Sequence, residues 1–138
     1  MPKHQTTSDF ARRAVAESKD LRRVLRDERD ALSPSLRTGF DRLLNDLDLA
    51  GPFDPGPLEH ARDLGQRLIR DIASAGGAPT EDRTEDGALV LRGGTDASRR
   101  LARIDRALGA FLGAATWVAT ALEAEAALER HRARLAKI

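Results

Sequence analysis

Apolar residues recur at three- and four-residue intervals along most of this chain, the period of an amphipathic helix. Phe10, Ala14, Leu21, Leu25 and Leu32, with Val24 at the shoulder, predict a first helix from Ser8 or Asp9 to about Leu32. Ser8 is its candidate N-cap, and Asp9 suits the positive end of the helix dipole. The rest of its circumference is Arg, Asp and Glu, so most of this helix faces water. Ser33-Pro34 stops the pattern and restarts it, with Ser33 as cap and Pro34 at the first helical position. The second helix reaches about Leu49 and turns Leu36, Phe40, Leu43, Leu44 and Leu47 inward. Three prolines and two glycines within residues 50–57 then break the chain. Asp54 caps a third helix, which runs to about Ala75 with Leu58, Ala61, Leu64, Leu68, Ile69 and Ile72 inward and ends at Gly76-Gly77.

Residues 76–94 read as a flexible acidic and glycine-rich loop, long for a compact domain. Its apolar run, Ala88 to Leu91, suggests a strand with no ladder inside the chain. Two uses suggest themselves: a plug closing one end of the helices, or an arm that pairs with its counterpart in a second copy. Residues 95–138 read as one long helix, and residues 107–122 carry no charge. The expected fold is therefore all-α: an antiparallel helical bundle of about four helices with a long C-terminal helix. It forms a single domain over residues 1–138, with residues 1–7 as a flexible N-terminus.

Composition narrows the function. The 23 basic and 22 acidic groups nearly cancel, as on a solvated helical surface. Arginine dominates the basic set, with Lys3, Lys19 and Lys137 as the only lysines. With no cysteine there is no disulfide or thiolate chemistry, which fits a reducing interior. The N-terminal ten residues lack an apolar run, so no secretory signal is expected there. The 16-residue uncharged stretch falls short of the roughly 20 residues that span a bilayer. A cytoplasmic protein with no membrane partner is the expectation.

No motif for catalysis, nucleotide binding or a cofactor is present, and none of these activities is expected. His4, His60 and His131 fall on three separate segments, and Glu59 and Asp63 beside His60 form a pattern common on wet helix faces. Asp82, Thr84, Asp86, Gly87 and Leu89 match the first half of a calcium loop. Its twelfth position must be a bidentate carboxylate but is Gly93, and Asp96 comes three residues late. No metal is expected. Arg12, Lys19, Arg23 and Arg26 share one side of helix one, and Arg99, Arg100, Arg103 and Arg106 crowd the start of helix four, as a phosphate backbone would require. Yet residues 1–50 hold 10 basic and 9 acidic groups, and a chain with one Trp, no Tyr and four Phe offers no stacking platform for bases.

The long helix carries the functional expectation. Leu101, Ile104, Leu108, Phe111, Ala115, Val118 and Leu122 form a seven-residue seam. Gly109, Gly113, Thr116 and Thr120 form a small-residue stripe, with Trp117 between the two. At about 1.5 Å per residue, this helix outruns helix one by some 30 Å. A second copy is the expected cover, in an antiparallel homodimer centred near Ala114 and Ala115. That register brings Arg106 to Glu123, Arg103 to Glu125 and Arg100 to Glu129. The chain is thus expected to be a non-enzymatic interaction protein (adaptor, scaffold or regulatory subunit) with an unidentified protein partner. A helical regulator touching nucleic acid through its Arg clusters is the second reading, and a non-catalytic subunit of an enzyme complex the third.

Overall fold

A computed structural model describes residues 7–137. Most of the chain is helical: α1 (Thr7–Glu28), α2 (Pro34–Ala50), α3 (Pro55–Ser74) and α4 (Asp96–Ala136), with a two-stranded hairpin, β1 (Thr80–Arg83) and β2 (Leu89–Arg92), between α3 and α4. Met1 to Thr6, with His4, and the final Ile138 lie outside the described residues.

The expected punctuation acts as hydrogen bonding. Ser33 Oγ accepts from Leu36 N at 3.3 Å and Asp54 Oδ2 accepts from Gly56 N at 3.2 Å, starting α2 and α3. Gly76 and Gly77 take positive φ angles of 131° and 90°, and Gly77 N donates to Ile72 O at 3.0 Å. Thr95 and Ser98 form a reciprocal capping box at the start of α4. Helix one differs from expectation at both ends. Ser8 is already helical rather than a cap, and the α-helix stops at Glu28, where residues 29–31 tighten into one turn of 3-10 helix.

α4 packs against α1 on one side and α3 on the other, and α3 packs against α2. The core joins Leu21 and Leu25 to Phe40 and Leu43, Leu64 and Leu68, and Ile104, Leu108 and Phe111. At Gly39 a Cβ would fall 2.6 Å from Leu64 Cδ2, so α2 approaches α3 more closely than a larger residue would allow. Ile69, expected inward, is 60% exposed, because Leu68 and Ile72 already occupy the inward face.

The expected loop over residues 76–94 contains the hairpin. Residues 80–83 supply the ladder that β2 was expected to lack, with Thr80 opposite Arg92 and Arg83 opposite Leu89. Thr84 to Gly87 form the turn, closed by Gly87 N–H bonded to Thr84 O at 2.9 Å, and it ends on Asp86-Gly87 with Gly87 at φ 84°. This dipeptide is a strong short-range hairpin signal. The flanking Thr-Glu-Asp-Arg is too polar to advertise a strand.

One ion-pair cluster ties the ends of α1 and α4 together. Arg100 Nε donates to Glu28 Oε2 at 2.6 Å, and its terminal nitrogens reach Asp30. The Arg100 hydrogen bond holds the Asp30 carboxyl below its ordinary pKa. A depressed carboxyl pKa contributes stability above the unfolded value that is lost as pH falls through the folded one. Arg100→Ala is accordingly expected to lower the melting temperature at neutral pH. The gap from the parent should close as pH drops below the usual carboxylate range. A gap that persists in acid would show that Arg100 acts through packing of its stem instead.

Candidate functional site

The set of residues expected to self-associate divides in two. Leu101, Ile104, Leu108, Phe111 and Val118 are at most 4% exposed, covered by the chain's own α1 and α3. The seven-residue seam is therefore core as far as Val118, and it offers nothing to a second molecule. Gly109, Gly113, Trp117, Thr120 and Leu122 are exposed, and Thr116 is half-buried. A Cβ added at Gly109 or Gly113 would meet no neighbouring atom of the described residues within 4 Å.

This open face carries a shallow apolar groove of about 750 Å³, lined by Gly113, Thr116, Trp117, Thr120, Ala121 and Ala124 with Arg62 at its edge. Arg62 donates to Thr116 Oγ1 at 3.1 Å. The Trp117 indole is fixed by α1: the Phe10 ring stacks on it with centroids 4.2 Å apart at 17°. Phe10 lies on the expected apolar stripe, but nothing in linear spacing marks it as the partner of Trp117.

Past this face α4 leaves the bundle. Every residue from Leu122 to Lys137 is exposed, a rod of about 24 Å at 1.5 Å per residue. Leu122, Leu128 and Leu135 are 44%, 49% and 55% exposed along it. By length and composition α4 is also long and apolar enough to cross a bilayer, which the 16-residue uncharged stretch alone does not suggest. A third of the relevant window is buried in the chain.

The residues expected to pair by charge are differently engaged. Besides Arg100, Arg103 lies 3.7 Å from Glu28, and Arg106 donates to Glu81 of β1 at 2.7 Å. Glu129 meets Arg132 at 3.4 Å, while Glu123 and Glu125 have no ion-pair partner among the described residues. The arginines predicted to meet a second copy thus already have partners within the chain. The same holds across both clusters of basic residues. Arg12, Arg23 and Arg26 each meet an aspartate, and only Lys19 and Arg99 reach no carboxylate among the described residues.

A second groove, of about 770 Å³, runs between α1, β2 and the first half of α4. Leu89, Val90 and Leu91 form one wall and Arg99, Arg103 and Ala110 another. Asp105, on the far side of α4 beside Ile72 and Leu91, is half-buried, and desolvation raises its carboxyl pKa. The carboxylates of the calcium-like segment serve the hairpin: Asp82 pairs with Arg92 at 3.0 Å, and Thr84 donates to Asp86. His60 Nδ1 lies 3.8 Å from Asp46 of α2. Among the described residues no three His, Asp or Glu gather as metal ligands would.

Comparison with protein-family models, with curated proteins and with solved structures finds no match to this chain. The functional reading therefore rests on the geometry of α4.

Proposed function

We propose that this chain is a non-enzymatic helical interaction protein, an adaptor, scaffold or regulatory subunit, that self-associates through α4. The observation that carries this reading is the open face of α4 at Gly113 and Trp117, continued by sixteen exposed residues beyond the bundle. The exposed apolar groove lined by Gly113, Trp117, Ala121 and Ala124 favours association over solvation. Small residues let a second backbone approach closely, and Trp117, held flat by Phe10, is a rigid anchor of the type that concentrates binding energy. A two-fold dimer is the simplest closed assembly for one self-complementary face.

The finer architecture goes with this reading as an antiparallel bundle. Arg22 meets Asp48 while Arg29 meets Asp41, so ascending positions on α1 meet descending ones on α2. Phe10 meets Trp117 while Glu28 meets Arg100, which supports the same relation between α1 and α4.

Light scattering after gel filtration tests the proposal. A particle of twice the 15.0 kDa chain mass is expected when the protein is loaded at tens of micromolar. A single-chain mass under those conditions rules the proposal out.

A further inference from the structure

We propose that the groove walled by α1, β2 and the first half of α4 is the docking site for the protruding end of α4 from a second copy. This rests on self-association through α4 and adds where the second rod lies.

The groove sits at one end of the open face. Arg99, Arg103, Arg106 and Ala110 line it, and the same three- and four-residue steps continue to Gly113, Trp117, Ala121, Ala124 and Leu128. A helix laid along that row passes from the Gly113 surface directly into the groove. With a two-fold axis beside Ala114, the groove stretch 99–110 of one copy lies against residues 118–129 of the other. Those are the residues around the point where the bundle stops covering α4.

The chemistry of the two surfaces matches. Half-buried Leu89, Val90 and Leu91 offer an apolar wall, and the incoming rod brings Ala121, Ala124 and Leu128 on one face. On the α1 wall Asp20, Asp27 and Glu28 each meet an arginine of the same chain. That leaves Arg13 and Arg99 without a carboxylate among the described residues, against Glu17 alone. In this register Arg99 lies level with Glu129 of the second copy, which already meets Arg132 at 3.4 Å, and Arg103, 3.7 Å from Glu28, lies level with Glu125. Arg99 thus takes the place expected of Arg100, which Glu28 and Asp30 occupy. Within the rod Glu129 meets Arg132, while Glu123 and Glu125 have no ion-pair partner among the described residues. A parallel pairing would set arginine against arginine.

The chain has no cysteine, so introduced thiols report cleanly. Val90→Cys protein mixed with Leu128→Cys protein should yield a mixed dimer with a short bismaleimide. Leu128→Cys protein alone should not cross-link, because the two Leu128 positions stand about 42 Å apart in this register. Glu125→Lys combined with Glu129→Lys should weaken association at least tenfold in low salt, with unchanged melting of the dilute monomer. A dimer by light scattering that gives no Val90→Cys to Leu128→Cys product overturns the groove placement and leaves self-association standing. A product from Leu128→Cys alone also overturns it. A monomer throughout overturns both.

Discussion

Phe111→Ala is expected to cost about 3–5 kcal/mol of folding stability, the range for emptying a fully buried aromatic position. Phe111 has no exposed surface and sits where α4 is packed between α1 and α3. Removing its ring opens a void that the flanking Leu108 and Ala115, both at most 1% exposed, are too tightly held to fill. Against a total of about 5–15 kcal/mol for a domain, the loss is a large fraction. It should appear as a fall in melting temperature of about 10–20 °C. Leu128→Ala is the matched control: its side chain is already 49% exposed, and alanine suits a helix at least as well as leucine. Chemical denaturation of the dilute chain separates the two. Equal, small losses in both variants would mean that the bundle does not wrap the middle of α4.

The fold was legible wherever one residue type has one physical use. Ser33, Asp54 and the Gly76-Gly77 pair act in the structure as caps and stops because few alternatives satisfy helix-end backbone groups. The inward faces of α2 and α3 followed from spacing, apart from Ile69. The hairpin was not legible as such, because β1 is Thr-Glu-Asp-Arg, exposed throughout. Asp86-Gly87 was its one signal, and the surrounding acids made the same residues resemble half a calcium loop. The candidate site was legible only in outline. Spacing identifies two stripes on α4 but cannot say which of them the first three helices cover. The structure assigns the leucine-rich seam to the core and leaves the glycine and threonine stripe open.

Charge order was the weakest guide for a reason that applies to any arginine-rich helical surface. A sequence lists every acid as an available partner, while the fold brings distant acids to hand first. Glu28 is 72 positions from Arg100 along the chain yet 2.6 Å away in space. Once Arg100 is held by two carboxylates, lending it to a second molecule means losing both. Arg99 reaches no carboxylate among the described residues; its guanidinium donates to Gly93 O and Gly94 O at 3.0 and 3.3 Å, so lending it to a second molecule disturbs two neutral contacts rather than an ion pair.

Gly113→Leu is expected to separate folding from association more sharply than any other single change. A glycine in mid-helix costs about 1 kcal/mol relative to good helix formers. Among the described residues no neighbouring atom lies within 4 Å of the Cβ that leucine would add. The isolated chain should therefore melt at the same temperature or slightly higher. Near a two-fold axis, however, the added isobutyl group meets its own copy and the facing backbone, where over-packing costs about 1–3 kcal/mol. The dimer should dissociate about ten- to a hundredfold more readily, with Gly113→Ala intermediate. Analytical ultracentrifugation across a dilution series reads the association, and thermal melting at the lowest concentration reads the fold. Loss of folding equal to the loss of association would place a neighbour from the same chain over Gly113. No change in either would mean that this face of α4 is not where copies meet, and the self-association reading would fall with it.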